Sequence, residues 1–279
     1  MANSELMSDV GAVDAGVAPA APARAGLRRV VLWDLPLRVF HWSLVAATVT
    51  AIVTGELGGA WMPWHGRAGL AIVGLLVFRL VWGVVGSATS RFAQFAPTPS
   101  RLVAYLRGRW RGVGHNPLGA LSVFALLGLL SLQAVTGLFG NDDIAFAGPL
   151  NHLVDDTLGA RVTGWHRLIA DGLFVLLGLH VLAIAFHVLV KRHRLVRPMI
   201  TGRADLPQDV PLPRRVAGHG PFGLLAGVCI AAVAVLAVAG AGEHPAAPLP
   251  VARTTAADSV QALQVAPPAA GASSPAPAW

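Results

Sequence analysis

Gly164-Trp165-His166-Arg167-Leu168-Ile169-Ala170-Asp171-Gly172-Leu173-Phe174-Val175-Leu176-Leu177-Gly178-Leu179-His180 is the stretch that decides how the chain is read. It is a nearly unbroken apolar run with a histidine at each end. An α-helix turns about 100° and rises about 1.5 Å per residue, so His166 and His180 share a face, about 21 Å apart along the axis. His187, seven residues further on, falls on that face too. Ionisable side chains inside a long apolar helix are costly and mark function. One helix therefore presents imidazoles at two depths, aimed in the same direction.

The rest of the chain fits a lipid environment. Of 279 residues, 54% are hydrophobic and 13% are charged, with mean hydropathy +0.61. Soluble domains carry about a quarter charged residues. The net charge of +7 would suit nucleic acid only as a basic patch on a soluble surface. Here the arginines separate apolar runs, so nucleic acid is excluded as a partner. The single cysteine, Cys229, excludes an internal disulfide, a cysteine-ligated iron–sulfur cluster and a C-x-x-C-H haem attachment. It reads as a small packing residue in an apolar run.

Five stretches reach the roughly 20 residues that a bilayer requires: 39–58, 66–86, 118–139, 166–190 and 221–241. The predicted fold is an all-α integral membrane protein, a four-helix haem-binding bundle with a fifth, C-terminal helix. Its predicted parts are a disordered tail (1–29), the membrane domain (30–200), a connector (201–220), the extra helix (221–241) and an Ala/Pro-rich disordered tail (242–279). No internal repeat is evident.

Lysine and arginine counts set the expected orientation. Four precede the first span (Arg24, Arg28, Arg29, Arg38), five join spans two and three, and seven lie between 190 and 220. The other two connections hold only Arg67 and Arg161, the second beside Asp142, Asp143, Asp155 and Asp156. A bacterial inner membrane with the N-terminus in the cytoplasm and the C-terminus in the periplasm is expected.

In that topology four histidines pair by depth. His41 opens span one and His180 lies towards the end of span four, both on the cytoplasmic side. His65 opens span two and His166 opens span four, both on the periplasmic side. Facing imidazoles at equal depth are what a six-coordinate haem needs, with small residues admitting the porphyrin. Gly66, Gly69, Gly74, Gly172 and Gly178 are the candidates. Two non-covalent haems b follow, about 20 Å apart. The rival reading makes these histidines helix caps or headgroup contacts.

The stretches D-L-P-L-R-V-F-H-W, W-H-G-R-A-G, G-H-N-P-L-G-A, T-G-L-F-G-N-D-D-I and G-W-H-R-L-I-A-D-G-L-F-V-L-L-G-L-H resemble the prokaryotic cytochrome b561 family, over roughly 30–200. That family includes the cytochrome b subunits of nickel–iron hydrogenases. The resemblance implies the same ligands, His41, His65, His166 and His180. It also implies electron exchange between quinone and a periplasmic cytochrome c, or a dehydrogenase or hydrogenase subunit. Two alternatives stand beside it: a superoxide or small-reductant:quinone oxidoreductase acting at an exposed haem, and a non-redox metal permease.

Secondary expectations complete the reading. Arg38, Arg67, Arg79 and Arg167 flank the ligands and suit haem propionates, since guanidinium pairs well with carboxylate. Arg38 and Arg167 could equally snorkel. His187 is a candidate quinone or propionate contact, His115 an interfacial cap before Asn116-Pro117, and His152, His193, His219 and His244 solvated. Asp171 should face a neighbouring helix. Asp142 and Asp143 suit either a docking patch or a solvated helix end. Trp33, Trp42, Trp61, Trp64, Trp82, Trp110 and Trp165 read as an interfacial belt.

Overall fold

The computed structural model describes residues 26–142, 144, 146–208, 210 and 220–242. The expectations for both tails, most of the connector, Asp143, His219 and His244 lie outside the described residues. Elements follow in the order β1 (Leu27–Val31), α1 (Leu35–Leu57), α2 (Met62–Val85), α3 (Phe92–Phe95), α4 (Pro99–Leu106), α5 (Pro117–Phe139), α6 (Asp156–Leu189), α7 (Val196–Thr201), β2 (Arg203–Pro207) and α8 (Gly220–Ala241). Short 3-10 turns precede α2 and α6. The helices α1, α2, α5, α6 and α8 are long and apolar enough to cross a bilayer. The chain is a multi-pass, all-α membrane protein.

Side-chain caps fix where three of these helices begin. Asp34, Asn116 and Asp155 accept the backbone N–H groups of Leu37 (2.8 Å), Gly119 (2.7 Å) and Leu158 (2.9 Å). Each satisfies a donor that the first helical turn leaves without a partner. The cap at Asp155 also explains why α6 starts ten residues before the expected span. Hydropathy detects only the lipid-facing part, whereas the polar turn Asp156–Gly164 continues the same helix. The other four long helices agree with the expected spans to within four residues.

Outward faces carry large apolar side chains, among them Val45, Val49 and Val53 on α1 and Val175, Leu179 and Leu182 on α6. Inside, Ile72 and Leu76 of α2 meet Leu130 of α5 and Leu173 of α6. A second cluster at the arginine-rich end joins Trp33, Leu37 and Phe40. Because lipid is as apolar as leucine, such cores hold by close packing and dispersion more than by escape from solvent.

The fifth helix is part of this bundle. α8 lies along α2, with Gly227 against the Phe78 ring and Gly74 against Val235. Gly223 and Gly227 are both buried, the small-x-x-x-small spacing that lets membrane helices approach closely. Gly74 therefore serves the α2–α8 contact and not a porphyrin.

The expected tail and connector boundaries need correction. β1 pairs antiparallel with β2, Leu27 opposite Pro207 and Val31 opposite Arg203. Both strands are only five residues long, with no turn between them, so local pattern does not reveal the pairing. The ribbon is extended by Leu32 N–H and Trp33 N–H, which donate to the Gly202 carbonyl. Gly202 has φ +77°, and a Cβ there would sit 2.8 Å from the Trp33 carbonyl oxygen. Only glycine suits that position. The ribbon ties the start of α1 to the end of α6, the two helices that carry His41 and His180.

Candidate haem-ligand site

At the end away from the arginine-rich loops, His65 of α2 and His166 of α6 face each other. Their ring centres are 6.1 Å apart and their planes cross at 83°. His65 Nδ1 lies 2.8 Å from the Ala51 carbonyl oxygen on α1. His166 Nδ1 lies 3.0 Å from the Gln133 carbonyl oxygen on α5. A carbonyl only accepts, so each Nδ1 carries the proton and each Nε2 keeps its lone pair. The Gln133 amide Nε2, 3.0 Å from His166 Nε2, donates to that lone pair.

Both carbonyls belong to helices, where the residue four positions on normally covers them. Here those residues are Gly55 and Gly137. A Cβ at Gly55 would sit 2.8 Å from His65 Nδ1, and one at Gly137 would sit 3.0 Å from His166 Cε1. The preceding threonines behave alike. Thr54 donates to Thr50 O (2.6 Å) and Thr136 to Leu132 O (2.9 Å). The chain thus repeats Val-Thr-Gly followed by Trp-His, at Val53–Gly55 with Trp64-His65 and at Val135–Gly137 with Trp165-His166. This corrects the expectation of no internal repeat. The unit is two helical hairpins, α1–α2 and α5–α6, with a loop of different length in each.

The arrangement fits a haem. His65 and His166, their ring centres 6.1 Å apart, could hold one iron between them, since each imidazole nitrogen would bond it at about 2 Å. Nδ1–H held by a carbonyl fixes the tautomer and raises the basicity of Nε2. Of the expected glycines, Gly66 abuts Phe146 and Gly172 lies in ordinary contact with Leu129, whereas Gly69 and Gly178 have open space where a Cβ would sit.

At the arginine-rich end, His41 of α1 and His180 of α6 lie within electrostatic reach of one another, without ring contact. His180 Nδ1 is 3.4 Å from Ser122 Oγ on α5, and His41 Nδ1 is buried with no partner. His187 is half-buried one and a half to two turns beyond His180. Its Nδ1 donates to Ala183 O of its own helix (2.9 Å), and its ring lies 6.1 Å from that of exposed His193. His152 is exposed.

Several expectations change here. The α5 cap is Asn116 itself, while the His115 ring packs between Trp33 and Phe95, each 4.6 Å away. Trp33 and Trp82 are buried, and Trp82 Nε1 donates to Asp34 at 3.1 Å. They belong to the core, whereas Trp42, Trp61, Trp64 and Trp165 are exposed as a belt requires. Asp171 is exposed and meets no neighbouring helix, because α6 packs chiefly against α5. Cys229 is exposed, turned away from the Gly223–Gly227 face. Asp142 Oδ1 accepts from the backbone of Ile144 (3.0 Å) and Phe146 (2.8 Å), which makes it part of the turn after α5.

The four arginines separate cleanly. Arg38 donates to Ile200 O (2.5 Å), Arg67 lies 4.9 Å over the Trp64 ring, and Arg167 is exposed. Arg79 is 2% exposed.

A multi-helix membrane bundle that brings two histidines together is the architecture of a membrane cytochrome of the b type, which binds haem without covalent attachment. The family model described as prokaryotic cytochrome b561 matches residues 32–202, and the chain belongs to that family. Relatives include proteins named probable Ni/Fe-hydrogenase B-type cytochrome subunit. The one from Azotobacter chroococcum mcd 1 is 26% identical, covering 65% of this chain and 91% of the relative. The one from Bradyrhizobium diazoefficiens is 24% identical, covering 70% and 94%. A probable Ni/Fe-hydrogenase 1 B-type cytochrome subunit from Escherichia coli K12 is 22% identical, covering 49% and 74%. No solved structure matches. Membership of a cytochrome family displaces the permease alternative.

Two outcomes follow from this geometry. Gly137→Leu is expected to push the His166 ring off its carbonyl and lower haem per polypeptide, as read by pyridine haemochrome. Full haem content in that variant would refute the glycine–carbonyl cradle. The second concerns His115, outside the spans. Burial first, and then Arg79 and His41, lower its pKa from 6.5 to about 4. Between those values the unfolded chain binds the proton and the folded one does not. Stability should therefore fall as pH drops through that window, with a limiting slope of about 1.4 kcal/mol per pH unit. His115→Phe should flatten that part of the thermal stability profile, and an unchanged profile would contradict it.

Proposed function

We propose that the chain holds two haems b and relays electrons between a hydrogenase-type partner and the quinone pool of a bacterial inner membrane. His65 and His166 hold one haem on the partner side, and His41 and His180 hold the other on the quinone side. The observation that carries this reading is the His65–His166 pair, its ring centres 6.1 Å apart and both Nδ1 protons committed to helix carbonyls. A haem with two imidazole ligands supplies one-electron chemistry at a saturated iron. The names of the relatives support a hydrogenase as the partner. The arginine-rich loops support a cytoplasmic position for the His41–His180 end.

The chain's own residues build a dry path between the two levels. Ile72, Leu76, Leu130 and Leu173 fill the space between them and exclude water. The 14-residue interval from His166 to His180 sets the separation at about 21 Å along the helix. His187 stands at the His41–His180 end and is the residue we assign to quinone.

Membranes containing the chain with its partner complex test this. With His180→Ala, reduction of haem b by the partner's own reductant should persist while reoxidation by added quinone is lost. With His187→Ala, both haems should remain and only the quinone step should slow. Undiminished quinone reoxidation in the His180 variant would contradict the assignment.

A further inference from the structure

Arg79 stands on α2 fourteen residues after His65, the interval that separates His166 from His180 on α6. In the repeated hairpins it occupies the place that His180 takes in the second. It therefore lies at the depth of the His41–His180 pair, on the α2 face that carries His65.

Its surroundings leave a charge without a counter-charge. Arg79 is 2% exposed, its guanidinium carbon is 4.3 Å above the Phe92 ring and 6.0 Å from that of Phe95, and Nη1 has no hydrogen-bond partner. Asp34 acts on it electrostatically but is not within ion-pair distance. The one ion pair among the described residues is Arg29–Asp205. The Asp34 carboxylate is already engaged by Leu37 N–H, Trp82 Nε1 and Ser90 Oγ (2.8 Å). His41 Nδ1 and His115 Nδ1 are also buried without partners, and His115 interacts electrostatically with both Arg79 and His41. Three orphaned nitrogens thus share one neighbourhood. A buried guanidinium is tolerated when an anion and hydrogen-bond acceptors complete it, and a carboxylate matches its planar fork best.

We infer that Arg79 is the fixed cation of the His41–His180 haem level, where it holds a propionate and raises that haem's reduction potential above its partner's. The inference rests on the two-haem reading proposed above. A positive charge beside the iron favours the state carrying one positive charge fewer, which is the reduced one. Of the four arginines Arg79 alone is buried: Arg67 and Arg167 are exposed, and half-buried Arg38 gives one guanidinium nitrogen to the Ile200 carbonyl. The role is one of positioning and tuning, because Arg79 does not ligate iron.

Potentiometric titration of the purified protein, followed in the haem α-band, tests it alongside haem content. Arg79→Gln should keep two haems and lower one of the two components by about tenfold in its reduction equilibrium, about 59 mV for a one-electron couple. The other component should not move. Arg79→Lys should recover most of the difference. In the His166→Ala background, which keeps only the His41–His180 haem, the single remaining component should carry the whole shift. Two haems with unmoved potentials would overturn the inference alone, as would a shift confined to the other component. Equal loss of haem in the Gln and Lys variants would also overturn it, by making Arg79 a packing residue. A wild-type protein with one haem would instead overturn the two-haem reading on which the inference stands.

Discussion

The structure depends on two hydrogen bonds from imidazole to helix backbone, His65 Nδ1–H to Ala51 O and His166 Nδ1–H to Gln133 O. Each does three things at once. It satisfies a buried polar nitrogen where water is scarce, and it ties one helix of a hairpin to the other. It also leaves Nε2 as the ring's lone-pair nitrogen, which on His166 accepts from the Gln133 amide. A helix carbonyl is ordinarily screened by the side chain four residues on, so the bonds exist because those residues are Gly55 and Gly137. Within the bilayer each unsatisfied polar group costs several kcal/mol, and that cost gives two glycines their importance.

The hairpin repeat follows from the same constraint. Val-Thr-Gly on the first helix and Trp-His on the second form one unit, used twice, and each unit supplies one imidazole to the shared pair. The second unit continues to His180 after fourteen residues, whereas the first continues to Arg79. The repeat therefore diverges at one end of the molecule. At that end His41 stands on α1, and the β1–β2 ribbon with Gly202 holds α1 against the segment that follows α6. The His65–His166 contact is built into the hairpins, and at the other end an added clamp joins α1 to the segment after α6.

Much of this was legible in the sequence because membranes impose simple rules. Length and hydropathy located the five spans, and the intervals among His41, His65, His166 and His180 placed them at two depths. The carbonyl partners were not legible, since hydropathy treats Gly55 and Gly137 as neutral letters. The recurrence of Val-Thr-Gly ahead of Trp-His was the signal that would have exposed them. Trp33, Trp82 and His115 were misplaced for a related reason. Position near a helix end suggests the headgroup region, but here Asp34, Ser90 and the loop helix α3 cover that end and bury them. The β1–β2 pairing joins residues as far apart in sequence as Leu27 and Pro207, and nothing local in either strand announces the other.

Haem stoichiometry with spin state tests the central claim most directly, on purified protein with polypeptide measured by amino-acid analysis. Two acid-acetone-extractable haems b per chain are expected, both low-spin and six-coordinate in the oxidised and reduced protein. One haem per chain, or a high-spin five-coordinate fraction equal to half the total, would contradict it.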